Sequence, residues 1–318
     1  MKILMFGPLP PKIGGITTSV KNTMNALKSK SIDTSIIMNF SSIRPLFGRY
    51  DIAHIHYVKS WKIFLALLLG KIVAKKNIFT KHGNGFLGED SKTGLPMLHR
   101  INAKLIDGII FLNQTSKERN GHLYSKSIVL GSLFAEGVSP DQTSEKNYIK
   151  RKKNKTYLLL YAFDKIIKNN QNIYGVDFVL ENLLSLDDQY VLCFVDIRGA
   201  HRNEAKEINS DKLIYIDHEV DFLSLLSEID IYLRPTTTDG ASVALQEALL
   251  LGKGVLASDI VERPKEAIVY KNGDFIDFKN KLENIKCGES SYMPNSIENY
   301  IDFCEYVLNQ RAQDCVTK

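Results

Sequence analysis

The chain has 318 residues, 44% of them hydrophobic, which is enough apolar side chain to bury more than one core. Its four cysteines, Cys193, Cys287, Cys304 and Cys315, show neither Cys-x-x-Cys nor metal-type spacing. That excludes a disulfide scaffold or zinc module and predicts free thiols in a reducing cytosol. The net charge of +5 is uneven, with 19 Lys or Arg against 6 Asp or Glu in residues 1–135 (+13) and 22 against 30 in residues 136–318 (−8). Opposite signs in the two halves predict two domains facing different partners. No leader peptide is expected ahead of the first strand, and the longest apolar run, Ile63 to Leu69, is too short to span a bilayer.

Lys2 to Phe6 is an apolar run that predicts a strand. It ends in Gly7-Pro-Leu-Pro-Pro-Lys-Ile-Gly14-Gly15, and a helical pattern follows over about 17–27. Strand, glycine loop and helix form an arrangement that lets backbone amides approach an anion, although the spacing is neither Gly-x-Gly-x-x-Gly nor a Walker loop. Further strands are predicted at 34–38, 51–56, 77–81, 108–112 and 127–130, with helical stretches between most of them, as repeated βα units require. His54 and His56, two apart, share one face of a strand, and with no third ligand nearby they read as buried structural side chains rather than a metal pair. His82 ends a strand in Lys81-His82-Gly83-Asn84-Gly85, at the carboxyl edge of the predicted sheet where ligands bind.

The pattern dissolves over 136–156, which contains Lys150-Arg-Lys-Lys-Asn-Lys155 and is expected to be a linker. The charge run has no interleaved aromatics and matches no nucleic-acid module, so no nucleic-acid partner is expected. Strands resume at 157–161, 190–195, 213–216, 229–233 and 255–257, with a helix expected to about Leu184 and a last one over 294–310. Between the fourth and fifth of these strands, Arg234-Pro-Thr-Thr-Thr-Asp239-Gly240 turns into a helix of good formers, Ser242 to Leu251, closed by Gly252. Amides at Gly240, Ala241 and Ser242 would open that helix, and its positive dipole end favours a phosphate. Asp239 and Glu247 are eight residues apart, which brings them to within about 80° on one helix face. They can address one ligand through paired hydroxyls, or serve only as an N-cap and a solvated side chain.

The block from Ile229 to Pro264 resembles the carboxyl-domain signature of GT-B retaining glycosyltransferases of family 4. That signature has two acids separated by seven residues, then Ala-Leu, a glycine turn and Val-(Val/Leu)-Ala-Ser-Asp. Here these are Asp239, Glu247, Ala248-Leu249, Gly252 and Val255-Leu-Ala-Ser-Asp259, with flanks typical of a bacterial surface-polysaccharide branch. The resemblance implies two doubly wound, Rossmann-like α/β domains facing across a cleft. The first would span 1–135 and hold the acceptor, and the second would span 157–293 and hold a nucleotide-diphosphate sugar. A helix over 294–318 would cross back to the first domain.

The resemblance also implies Glu247 on the donor ribose, Asp239 and His82 on the transferred sugar, and the amides of Gly14 and Gly15 near the diphosphate. The family's two diphosphate cations fall where this chain has Ala162-Phe163-Asp164 and Tyr174-Gly175, so Lys165, Lys168 or Arg198 would substitute. No cofactor is expected. Since no two Asp residues lie two apart, no metal is expected either. The implied acceptor is a glycan, or a lipid-linked oligosaccharide at the inner face of the cell membrane. The greasy stretch Trp61 to Lys71, followed by Lys75-Lys76, is expected either to lie on anionic lipid or simply to pack on the sheet. Two alternatives stay open: a GT-B nucleotide-sugar epimerase, and a non-catalytic homologue that binds nucleotide or glycan.

Overall fold

The computed structural model describes residues 1–9, 14–38, 40, 44–82, 97–138, 147–208, 210–285, 288 and 291–309. Pro10, Pro11, the Gly83–Gly85 turn, 139–146 of the expected linker, Cys287 and Cys315 lie outside them. The chain forms two compact units, one of Met1–Val138, Gly240–Val243 and Pro294–Lys318, the other of Ser139–Asp239 and Ala244–Met293.

The first unit is built on six parallel strands, β1 (Lys2–Phe6), β2 (Asp33–Ile37), β3 (Tyr50–Ile55), β4 (Ala74–Lys81), β5 (Gly108–Phe111) and β6 (Ser127–Val129), in the order β2-β1-β3-β4-β5-β6. Strand alternation splits the core into two layers. Leu4 and Phe6 of β1 face a cluster containing Ile63, Ala66 and Leu67 of α2 (Ser60–Val73). Ile3 and Met5 face the other side, where Val20, Ala26 and Leu27 of α1 (Gly15–Ser29) pack together with Ile297, Tyr300, Phe303 and Val307. The last four belong to α10 (Ile297–Asn309), so the carboxyl-terminal helix is part of this core. The short helices α3 (Met97–Leu105) and α4 (Gln114–Asn120) complete the unit, and Asn113 caps α4 by accepting from Ser116 N at 2.7 Å.

The stretch 60–73 does pack on the sheet. A Cβ on Gly70 would collide with the Asn77 side chain, so only glycine permits so close an approach. The helix keeps an outer stripe, with Trp61, Leu68 and Ile72 exposed. It runs directly into β4, three residues earlier than the apolar pattern predicts, because Lys75 and Lys76 are accommodated by ion pairs to Asp51 at 2.7 Å and Asp107 at 3.3 Å.

The second unit carries strands β7 (Thr156–Ala162), β10 (Tyr190–Asp196), β11 (Leu213–Ile216), β12 (Ile231–Arg234), β13 (Gly254–Ser258) and β14 (Ile268–Tyr270), all parallel, in the order β11-β10-β7-β12-β13-β14. A small hairpin, β8 (Ile167–Lys168) and β9 (Gln171–Asn172), follows β7. Renumbered within the unit, the sheet order is 3-2-1-4-5-6, which is that of dinucleotide-binding folds. The order reverses between β7 and β12, and there the carboxyl ends of neighbouring strands open a crevice. Tyr157 and Leu159 face the cluster covered by α7 (Phe222–Glu228) and α8 (Val243–Leu250), while Leu158 and Leu160 face that covered by α5 (Val176–Asn182) and α9 (Phe275–Glu283). Helix α6 (Arg202–Glu207) follows β10. Strand β14 and the hairpin went unread in the sequence, since both are too short for a periodic pattern.

Residues 147–156, expected as linker, are fixed to this second unit. Glu228 accepts from the amides of Tyr148 (3.0 Å) and Ile149 (2.8 Å), and Arg151 donates to both oxygens of Asp230 at 2.9 and 2.8 Å. Cys193 and Cys304 are buried free thiols in their respective cores.

Candidate functional site

At the switch point of the second sheet, β12 ends in Arg234 and the chain turns through Pro235–Ser242 into α8. Asp239 is the centre of this turn. Its Oδ1 accepts from Arg234 Nη2 at 2.9 Å, and its Oδ2 from Arg234 Nε at 3.0 Å, Arg263 Nη1 at 2.7 Å and Thr236 Oγ1 at 3.4 Å. Arg263, in the loop after β13, also donates from Nε to the Ser258 carbonyl and from Nη2 to Thr236 Oγ1. Ser258 Oγ donates to the Thr236 carbonyl at 2.6 Å. The loops after two neighbouring strands are thereby tied into one body.

The side chains of Asp239, Arg234 and Arg263 are only 7%, 14% and 3% exposed. Burial pushes the Asp239 carboxyl up, but the Arg234 guanidinium and then Arg263 outweigh it and hold it well below the usual carboxylate range. The two arginines were visible in the sequence as flanks of the motif, without a role. Pairing of residues 5 and 24 positions from Asp239 required the fold. Asp239, expected as an N-cap or as a contact to the donor sugar, accepts from two guanidiniums and a hydroxyl.

Glu247 lies on α8 and is buried at 6% exposure. Its charge adds to burial in raising the phenols of Tyr161, on β7, and Tyr232, on β12, so both stay protonated. Gln246 beside it accepts from Tyr292 Oη at 3.2 Å. The hairpin side of the site is closed by Thr237 N donating to the Ile173 carbonyl at 3.0 Å. Gly175, the residue before α5, has φ +65°, and a Cβ there would collide with the Pro235 carbonyl. Only glycine lets these two loops touch.

Lys165 and Arg198 sit in the loops after β7 and β10, at the same sheet edge. Each is engaged: Lys165 Nζ pairs with Glu204, and Arg198 Nη1 donates to Asp164 at 2.9 Å while its guanidinium lies 4.6 Å from the Phe163 ring centre. Lys168 is exposed on the hairpin.

In the first unit, Gly14 precedes α1 with φ 147°, a backbone region that favours glycine, and among the described residues no atom comes within 4 Å of its Cβ position. A Cβ on Gly15 would lie 3.8 Å from Val243, so the first turn of α1 neighbours the Gly240–Val243 segment that contains Gly240, Ala241 and Ser242.

His82 directly follows β4, and His56 directly follows β3. His56 Nδ1 is 3.0 Å from His82 Nε2, and His56 Nε2 is 3.2 Å from His54 Nδ1. His54 is also bonded to Thr80 Oγ1 (2.7 Å, through Nε2) and Tyr300 Oη (2.8 Å, through Nδ1). Burial is the main cause that lowers all three imidazoles, His82 to about 4, His54 to about 3, and His56 well below its ordinary value. Among the described residues no group of three or more His, Cys, Asp or Glu is disposed to hold a metal ion.

Neither a protein-family model nor a curated protein matches the chain. Solved structures do. The Anabaena protein HepE in complex with UDP superposes with a TM-score of 0.59 at 13% identity, over 98% of this chain and 95% of that one. The catalytic domain of Arabidopsis thaliana starch synthase IV bound to ADP and acarbose gives 0.62 at 11% identity, over 97% and 95%. A mutant of S. aureus TarM in complex with Fondaparinux, alpha-GlcNAc-glycerol and UDP gives 0.53 at 12%, over 81% of this chain and 51% of that one. With two six-stranded parallel sheets, this similarity defines the class of fold: a two-domain, Rossmann-like GT-B fold.

Proposed function

We propose that the protein is a glycosyltransferase using a nucleoside-diphosphate sugar as donor and a glycan as acceptor. The carrying observation is the joined loop pair at the switch point of the second sheet, which leads into α8 with its buried Glu247. The solved neighbours that hold UDP or ADP support the nucleotide part of the reading. Glu247 is assigned to the ribose hydroxyls, which a carboxylate can accept in pairs. Asp239, held by Arg234 and Arg263, fixes the loop and is assigned to the donor sugar. His82 contacts the transferred sugar. The amides of Gly14, Gly15, Gly240, Ala241 and Ser242 would meet the diphosphate, with Lys165 and Arg198 supplying positive charge.

The reaction is proposed to retain configuration, with the leaving phosphate taking the acceptor proton on the same face. The protein's part is then positioning and charge stabilisation. No divalent metal is required in this reading, and transfer that persists in chelator is the expected result; loss in chelator and recovery with manganese would sink it.

Glu247→Gln should keep the fold and weaken nucleotide binding by about 1–3 kcal/mol, the scale of a charged hydrogen bond. Calorimetry across a panel of nucleotides is the check, and an unchanged affinity would refute the assignment. The ion pairs that occupy Lys165 and Arg198 favour a second reading, a binding protein without transfer. Slow hydrolysis of the sugar nucleotide would decide against it.

The acceptor is proposed to be a bacterial surface glycan, lipid-linked at the inner face of the cell membrane. The basic first domain and the exposed Trp61, Leu68 and Ile72 support peripheral docking on anionic lipid, while Lys71 and Lys75 are paired with Asp107 and Asp51. Each well-placed cation is worth about 1 kcal/mol there. No helix of the described residues is long and apolar enough to cross a membrane. Binding to anionic vesicles should weaken with salt and fall when Trp61 and Ile72 become Ser. Equal, negligible sedimentation with neutral and anionic vesicles would count against docking.

A further inference from the structure

The three histidines of the first unit form one hydrogen-bonded line, and its far end is a tyrosine from a distant part of the chain. Tyr300 reaches His54 from α10, 246 positions away in sequence. Its phenol is fully buried and burial keeps it protonated, so it has a proton to donate. The acceptors within reach are His54 Nδ1 and the thiol of Cys304, and sulfur is the weaker acceptor. Donation to His54 Nδ1 leaves the His54 proton on Nε2, where Thr80 Oγ1 accepts it at 2.7 Å.

Each neutral imidazole has one donor and one acceptor nitrogen, so the order then propagates. His54 Nδ1 has a single lone pair and Tyr300 takes the shorter share of it, so the 3.2 Å contact is the weaker arm of a three-centre arrangement in which His56 donates from Nε2. His56 Nδ1 is therefore bare, and the contact at 3.0 Å requires His82 to donate from Nε2. The direction of the whole line thus follows from the Tyr300 proton pointing at His54 and not at Cys304. His82 Nδ1, which makes no hydrogen bond among the described residues, is left as an acceptor.

We propose that Tyr300, His54 and His56 are positioning residues that hold His82 in its Nε2–H tautomer, presenting Nδ1 to accept a hydrogen bond from a hydroxyl of the transferred sugar. The inference rests on the assignment of His82 to that sugar. It makes the C-terminal helix a determinant of the chemistry of a residue on the opposite end of the chain. Neutral rings are needed throughout, and burial keeps them neutral at pH 7.

The test is the long-range proton–nitrogen correlation spectrum of the full-length protein labelled at histidine, with His82 assigned by its loss in His82→Asn. The wild type should show His82 protonated at Nε2 and bare at Nδ1; a proton on Nδ1 overturns the proposal. Tyr300→Phe should convert His82 to a mixture of tautomers and lower kcat about fivefold, the scale of one hydrogen bond. An unchanged His82 spectrum in that variant also overturns it. Should Tyr300→Phe not fold, Thr80→Val removes the acceptor at the other ring nitrogen of His54 and is expected to loosen the same order. The two readings fail separately. Full transfer activity in His82→Asn would remove His82 from the sugar site, while the tautomer spectrum still decides whether the line of rings is ordered from Tyr300.

Discussion

Asp239→Asn is expected to destabilise the second unit by about 3–5 kcal/mol, the cost of breaking a buried ion pair from one side. The wild-type cluster balances one carboxylate against two guanidiniums, none of the three side chains more than 14% exposed. An amide in place of the carboxylate leaves two buried positive charges facing each other. It also replaces one accepting oxygen by an NH2 donor, so that either Arg234 Nη2, or Arg234 Nε together with Arg263 Nη1, loses its acceptor. Arg263→Gln should cost less, because it leaves Arg234 and Asp239 paired one to one. Urea unfolding of the two variants is the measurement. Stability of Asp239→Asn within 0.5 kcal/mol of wild type, the scale of an ordinary surface substitution, would show that the arginines do not depend on this carboxylate.

The pH window of this contribution is acidic. The carboxyl is held below its ordinary value of 3.8, so its stabilisation is present above that pH and is lost as pH falls towards the folded value.

The first unit is expected to fail at milder acidity, through the line of histidines. In the unfolded chain these rings take protons near 6.5, whereas in the fold His82 waits until about 4 and His54 until about 3. His56 is lowered well below its ordinary value, by burial and by its two neighbours. Because the folded values are depressed, the unfolded state binds more protons between pH 6.5 and 4, and stability is lost as pH falls through that window. Three such groups give a slope approaching about 4 kcal/mol per pH unit near pH 5. Urea midpoints followed from pH 8 to pH 5 should therefore drop steeply below pH 6.5. A flat profile would mean that the rings take up protons in the folded state and are not sealed from water. Replacing His56 by Phe should shallow the slope by about a third, since one of three protons is gone.

Much of the architecture was legible because a buried parallel strand must be apolar on both faces, and runs such as Lys2 to Phe6, Tyr190 to Val195 and Leu213 to Ile216 can hardly be anything else. Gly252 adopts the positive φ of 71° that its place after the α8 helix predicts. The turn from Asp239 into α8 was legible for the same local reason. Local pattern also named Glu247, yet it left open whether that side chain faced water, and the fold buries it. The start of β4 was misplaced because Lys75 and Lys76 read as polar, and their counter-ions Asp51 and Asp107 are far off in sequence.

What the sequence by itself determined, then, is the alternation of strand and helix, the parallel sheets, the placing of Asp239 and His82 past strand ends, and that of Glu247 on the helix that follows Asp239. Those features depend on residues within a few positions of one another, where backbone period, turn chemistry and glycine geometry act. Only the tertiary structure decided the strand order, the ion cluster that engages Asp239, and the line from Tyr300 to His82. A hydrogen bond between residues 246 positions apart leaves no local periodicity. Its donor and acceptor are ordinary side chains until the sheet and α10 bring them together in a place without water, and there each must find the other.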